Sequence, residues 1–321
     1  ICLSLLIAVS CVSGCGKTSA AIEQPYDVYA TAADFGLSSN GTAEAKSYFA
    51  SDLCVSEDVA IGTDSTDSQV AEGAGTFNLE TNTVVYAKNL YERLYPASTT
   101  KILTAYIALK YCDDLDAMVT VSENAVNQAS DSSVCNLKAG DVIRLRDLLY
   151  GLMLRSGNDA AVAIAEYISG DVDSFAALMN QEAAAMGATR SHFVNPNGLP
   201  DENHYTCVYD MYLIFSNAIK NDTFVSIIGT TSYDVTYTDA SGEAVTHTWE
   251  NTNQYLTGNA TTPDGFQIVG GKTGTTGEAG YCLVLYSYNP SGQPIISIVF
   301  KADGKSNLYL LMNEMLQGFA I

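Results

Sequence analysis

Apolar positions change period along the chain, and the changes mark out its elements. In "GTFNLETNTVVYAKN" (75–89) apolar and polar residues alternate on either side of Glu80-Thr81-Asn82, which predicts two strands joined by a polar turn. Between Tyr95 and Tyr111 the period lengthens. Ile102, Leu103, Tyr106, Ile107 and Leu109 form the stripe of a buried helix, and Pro96 halts whatever precedes it. "MVTVS" (118–122) reads as a short strand after an acidic turn. Helical periods return at Leu145–Leu154, at Asp159–Ile168 behind a cap at Asn158, at Ser174–Met186 ending on Gly187, and at Tyr209–Lys220. The last third turns to strands: a hairpin over 232–249 with Ser241-Gly242 at its turn, then "YCLVLYSY" and "IISIVFKA" separated by "NPSGQP". "SNLYLLMNEMLQGF" closes the chain as an amphipathic helix. Strands at both ends with helices between predict one sheet built from distant segments and packed against helices.

Upstream the periods fade. "GTDSTDSQVAEGAG" (62–75) reads as loop, and 16–50, rich in Ala, Ser, Thr, Asp and Glu, reads as a flexible stalk. The opening "ICLSLLIAVSCVSGCGK" is an apolar run followed by small residues, as in a secretory signal, and is too short to span a bilayer. With no Met and no positive residue ahead of it, the true N-terminus is expected to lie upstream. Val12-Ser13-Gly14-Cys15 resembles a bacterial lipobox, so Cys15 is the expected lipidation site and 1–15 the signal. Cys11 fits that pattern less well; an ordinary signal or a buried strand is the alternative. The folded domain is expected over 51–321.

Composition narrows the function. At 321 residues the chain suits one large domain or two modest ones, and with 47% apolar and 16% charged residues it can bury a core. Fifteen Lys and Arg against 36 Asp and Glu give a formal charge of −21. Such a surface repels nucleic-acid phosphates and anionic headgroups, so nucleic acid is not expected as a partner and any membrane attachment must be covalent or hydrophobic and not polybasic. Cys54, Cys112, Cys135, Cys207 and Cys282 remain outside the signal; five is odd and none is spaced CxxC, so neither a disulfide framework nor a zinc site is indicated, though one disulfide stays open. "CDDLDAM" lacks the spaced oxygen ligands of a calcium loop.

Three polar signals interrupt apolar surroundings. Ser98 and Lys101, three residues apart on a helix, share a face. A serine hydroxyl needs a neighbouring base. None of His192, His204 and His247 has an evident serine partner, and His204, in a polar loop, reads as a surface residue. A Ser-His-Asp triad stays open without support, and Lys101 is the expected base, an amine that burial, its helix terminus and a second cation would keep partly neutral. The other signals are Ser156-Gly157-Asn158 and Lys272-Thr273-Gly274, the latter leading into a strand.

SxxK, S-x-N and K-T-G in that order resemble the signature of penicillin-binding proteins and class A β-lactamases. "YPASTTKILTAYIAL", "LRSGNDAAVAIAE", "FVNPNGLPDENHYT" and "GGKTGTTGEAGYCLV" are similar to the low-molecular-mass penicillin-binding D-alanyl-D-alanine carboxypeptidases, from about Ser51 to the end. No Glu-x-x-Leu-Asn segment supplies the second acid of a β-lactamase. The resemblance implies an α/β (α+β) β-lactamase/transpeptidase-like fold, an antiparallel sheet flanked by helices with an inserted all-helical subdomain. It implies hydrolysis of peptidoglycan stem peptides ending in D-Ala-D-Ala, acylation by β-lactam antibiotics, and no cofactor or metal. Ser98 would be the nucleophile, with Lys101 taking its proton directly or through Ser156. Asn158 would hold the substrate amide. The backbone N–H groups of Ser98 and Thr275 would form the oxyanion hole, and Lys272 and Thr273 would meet the terminal carboxylate. Gly271 and Gly274 would let the substrate backbone approach an edge strand. No arginine follows Arg190, where the family places one for that carboxylate, so Lys301 or Lys305 is the candidate replacement. An endopeptidase, or a penicillin-recognising lipoprotein with little turnover acting as sensor or scaffold, stays open. The enzyme is expected outside the cytoplasm, on the outer face of the membrane, serving cell-wall synthesis.

Overall fold

Two distant parts of the chain build the main sheet. In the computed structural model, which describes residues 50–321, β1 (Ala71–Asn78) pairs antiparallel with β2 (Thr83–Lys88) on one side and with β9 (Pro294–Ala302) on the other. β8 (Gly280–Tyr288) and β7 (Gln267–Thr276) extend it to a five-stranded antiparallel sheet in the order β2-β1-β9-β8-β7, leaving β7 at an edge. The expected signal 1–15, its Cys15 and the stalk up to residue 49 lie outside the described residues. Asp52–Ile321 form one compact unit.

The sheet is buried on both faces, which is why β8 and β9 read as continuous apolar runs. Along β9, Ile296, Ile298 and Phe300 face a helical core, while Ile295 and Val299 face α8 (Lys305–Phe319). The helical side is centred on α1 (Lys101–Tyr111), surrounded by α4 (Asn158–Ser169), α5 (Val172–Ala185) and α6 (Val208–Ala218). α4 is buried from Asn158 through Ala165, and its alanines allow close packing. α5 is capped by the Asp171 carboxylate, and α7 (Asp222–Gly229) by the Asn221 side chain.

The structure corrects several expectations. The inserted region is not all helical. β3 (Met118–Thr120), β4 (Val142–Arg144), β5 (Ser232–Thr238) and β6 (Ala244–Glu250) form a second, four-stranded sheet beside the helices, because the 232–249 hairpin finds β4 as its partner. The segment 62–75 is not all loop: two 3-10 turns lead into β1 at Ala71. The helix expected over 145–154 is α3 (Leu145–Tyr150) followed by a π-helical turn, Gly151–Arg155. Among the described residues, no helix is long and apolar enough to cross a membrane.

Candidate active site

Ser98 does not open the α-helix itself. It lies in a 3-10 turn, Ala97–Thr100, that runs directly into α1 at Lys101. Ala97 just before it has φ +47°, a conformation an alanine adopts only when the surroundings impose it. The turn aims the serine at the lysine: Lys101 Nζ lies 2.9 Å from Ser98 Oγ. Lys101 is 0% exposed and also donates to Asn158 Oδ1 at 2.8 Å and to the Asn197 carbonyl at 2.7 Å. Those two partners only accept. A neutral amine has two N–H bonds and one lone pair, so with both hydrogens engaged there, the lone pair is left for the Ser98 hydroxyl. Burial first, and the charge of Lys272 second, hold Lys101 well below the usual lysine range, which favours that neutral form.

The second motif follows the π-helical turn, a distortion often found at functional sites. The turn throws Ser156 into a left-handed conformation, φ +62°, and an extended Gly157 then leads into α4 at Asn158. Lys272 Nζ donates to Ser156 Oγ at 3.0 Å and to the Thr273 carbonyl at 2.9 Å. Lys272 is 1% exposed, and burial lowers it to about 7. Ser156 is thus tied to the second lysine, while Ser98 touches Lys101 directly.

β7 carries the third motif against the nucleophile turn. A Cβ on Gly274 would stand 3.0 Å from both the Pro96 carbonyl and the Ser98 nitrogen, so only glycine lets the edge strand lie this close. Gly271 has a different reason from the one expected: its Cβ position is filled by the Val284 carbonyl of β8, inside the sheet. Ser98, Ser156, Thr273, Gly274 and Thr275 line one cavity of about 220 Å³.

Other residues shape the site without an obvious sequence signal. The loop at 195–204 closes over α1: the Asn197 carbonyl takes a hydrogen from Lys101, and the Pro196 carbonyl takes one from Thr104 at 2.7 Å. His204 is not on the surface but 0% exposed. Its Nδ1 accepts the Val194 N–H at 3.1 Å, so the proton sits on Nε2, which donates to Thr100 Oγ1 at 2.9 Å. Asp159 accepts backbone N–H groups of Cys135 and Leu137 and ties the 133–137 loop to α4. Thr252 meets Thr273, Oγ1 to Oγ1, at 2.6 Å. Lys305 lines the cavity, whereas Lys301 pairs with Glu72. Among the described residues no three His, Cys, Asp or Glu gather as metal ligands.

Residues 62–304 match the family model described as D-alanyl-D-alanine carboxypeptidase, peptidase S11. The chain is 34% identical to the D-alanyl-D-alanine carboxypeptidase of Streptomyces sp. K15, over 78% of this chain and 88% of that one. It is likewise 34% identical to D-alanyl-D-alanine carboxypeptidase DacF of Bacillus subtilis, but there spans only 61% of the relative's length. The crystal structure of the Streptomyces K15 DD-transpeptidase superposes with a TM-score of 0.72 at 33% identity, covering 78% of this chain and 98% of that one. DacD of Francisella tularensis gives 0.68 at 28% identity, over 83% and 72%. With its three motifs gathered in one cleft, the chain belongs to the D-alanyl-D-alanine carboxypeptidase family, peptidase S11.

Proposed function

We propose that the protein is a serine-type D-Ala-D-Ala carboxypeptidase, which removes the terminal D-alanine from peptidoglycan stem peptides through an acyl-enzyme on Ser98 and is acylated there by β-lactams. The observation that carries this reading is the 2.9 Å contact between Ser98 Oγ and a buried Lys101 whose other two partners are pure acceptors. Lys101 takes the hydroxyl proton as Oγ attacks the carbonyl carbon of the penultimate D-alanine. The N–H groups of Ser98 and Thr275 receive the oxyanion; losing one such donor typically costs about two to three powers of ten in rate. The proton passes to the departing D-alanine nitrogen, and water then releases the shortened peptide, with Lys101 again as base. Asn158 holds the substrate amide, and Lys272 and Thr273 hold the terminal carboxylate.

Lys305 fills the place of an arginine. It begins α8, lines the cavity beside Ser98 and Thr273, and has no partner among the described residues. As a point charge it attracts a carboxylate without the two-pronged geometry of a guanidinium. The family acts on cell-wall peptides, which places the enzyme outside the cytoplasm; a lipid on Cys15 would anchor it to the outer face of the membrane.

Fluorescent penicillin tests the site. The wild type labels covalently and Ser98→Ala does not; unlabelled wild type, or a labelled variant, overturns the assignment. Release of D-alanine from a peptide ending in D-Ala-D-Ala then separates a carboxypeptidase from a penicillin sensor.

A further inference from the structure

We propose that the cleft recognises a free amine on the side chain of the residue preceding the terminal D-Ala-D-Ala, through Asp131 and Glu278. The inference rests on the carboxypeptidase reading above and adds to it which substrates are preferred. The cleft has two halves that meet at Ser98, Ser133 and Thr275, residues lining both. One half, of about 220 Å³, includes Thr273 and Lys305 and borders Ser156, the partner of Lys272. The other, of about 440 Å³, includes Asp131 and Glu278 and no lysine, arginine or histidine. Charge therefore reverses along the cleft, with the nucleophile at the crossover.

The two carboxylates come from separate segments. Asp131 lies in the loop following α2 (Glu123–Val126), and Glu278 in the turn between β7 and β8. Neither has an ion pair or side-chain hydrogen bond among the described residues. Both are unengaged, in a cavity that also opens on the reacting serine.

Asn158 points independently to a ligand in this half. The residue is 5% exposed and lines the acidic cavity; its Oδ1 accepts from Lys101, and its Nδ2 makes no hydrogen bond among the described residues. An amide donor left open at the wall of a cavity suits a carbonyl brought by a ligand. A peptide with its terminal carboxylate in the cationic half and its scissile carbonyl at Ser98 runs back past Asn158 into the acidic half. The side chain entering there meets two negative charges at the protein surface, and an ammonium is the group they favour. A divalent cation would need more ligands than gather here, since no third acid, histidine or cysteine joins the pair among the described residues.

The test compares D-alanine release from L-Lys-D-Ala-D-Ala peptides whose side-chain amine is free or acetylated. The wild type should favour the free amine by about threefold to tenfold in kcat/KM, the range two exposed carboxylates supply, with the preference shrinking at high salt. In the Asp131→Asn/Glu278→Gln double variant the two peptides should be cleaved alike, while benzylpenicillin, which carries no such amine, acylates Ser98 at the wild-type rate. Equal cleavage of both peptides by the wild type, or a preference surviving in the double variant, overturns the proposal and leaves the carboxypeptidase intact. Loss of penicillin acylation in the double variant also overturns it, because the carboxylates would then support the catalytic groups and not the substrate. Absence of labelling at Ser98 in the wild type removes the carboxypeptidase reading itself.

Discussion

Two buried lysines hydrogen-bonded only to neutral groups are an unusual load for a core. Lys101 and Lys272 are each almost wholly out of water, and their partners are hydroxyls, an amide oxygen and backbone carbonyls. The cost shows most clearly at Lys272, lowered to about 7 by burial. In the unfolded chain this amine holds its proton up to its ordinary value near about 10.4. Between pH 7 and that value the unfolded state binds more protons than the folded one, so stability rises with pH across the window; below pH 7 the full cost of burying the charge is in force. Lys272→Met should therefore abolish penicillin acylation yet raise the unfolding free energy at pH 7 by about 1–3 kcal/mol. It should also flatten the rise between pH 7 and pH 9, as read by denaturant titration at both values. A variant less stable than wild type at pH 7 would mean that Lys272 supports the fold. At this scale the sequence is legible where a side chain has a role: the three-residue spacing of Ser98 and Lys101 is enough to predict their contact. Asn197 meets Lys101 through its backbone carbonyl, while its side chain only accepts the Leu199 N–H within the loop, so its residue type does not report the contact with Lys101.

At the scale of elements, the site depends on three segments pressed together: the turn at 97–100, strand β7 and the loop at 195–204. Gly274 makes the first contact possible, standing where a methyl group would touch the Ser98 nitrogen and the Pro96 carbonyl at 3.0 Å. Gly274→Ala should push β7 outward by a few tenths of an ångström, lowering penicillin acylation by roughly tenfold to a hundredfold while costing only about 1–2 kcal/mol of stability. Stopped-flow acylation beside thermal unfolding separates the two effects. The loop contact is even tighter: a Cβ on Gly198 would fall 1.9 Å from the Ala97 carbonyl. His204 holds that loop through Thr100 and Val194, and burial lowers its imidazole to about 4. The unfolded chain protonates this histidine from its ordinary value near about 6.5, so the contribution of the neutral ring is complete above that pH and is lost as pH falls toward 4. Stability should drop by about 3 kcal/mol across that interval. His204→Gln, which cannot titrate, should weaken the drop; an unchanged slope would show that His204 is not its source. The local pattern does not reveal this histidine, because its neighbours in "DENHYT" are polar. What buries it is the distant Thr100 and the edge of Phe193, which no local pattern reports. The 232–249 hairpin is legible as a hairpin, but its pairing with β4 is not, since register with a three-residue strand leaves almost no period to read.

For the whole molecule, the order of strands decides what can be removed. β1 near the start of the folded unit pairs with β9 near its end, so the central sheet exists only when both ends of the unit are present. Strong apolar runs in β8 and β9 made the sheet legible, and their lack of alternation required a cover on each face. The helical core supplies one. α8 supplies the other, burying Leu308, Leu311, Met312, Met315 and Leu316 against Leu283, Leu285, Ile295 and Val299. At about 1.5–3 kcal/mol for each large apolar side chain, that layer contributes on the order of 10 kcal/mol, as much as a domain's whole stability. The same face also presents Lys305 and Leu308 to the cleft, so the cover and the substrate site share one helix. A chain ending at Asp303 keeps Ser98, Lys101, Ser156, Asn158 and Lys272, every residue of the three motifs, but exposes one whole face of the sheet. It should fail to unfold cooperatively by circular dichroism and should not label with penicillin. The complementary chain of residues 52–321 drops everything before the compact unit, keeps every described residue of either core, and should unfold cooperatively and label like the full sequence. A labelled, cooperatively folded 1–303 chain would show that the helical side alone sustains the catalytic cleft, and that α8 shapes the substrate site without being needed to build it.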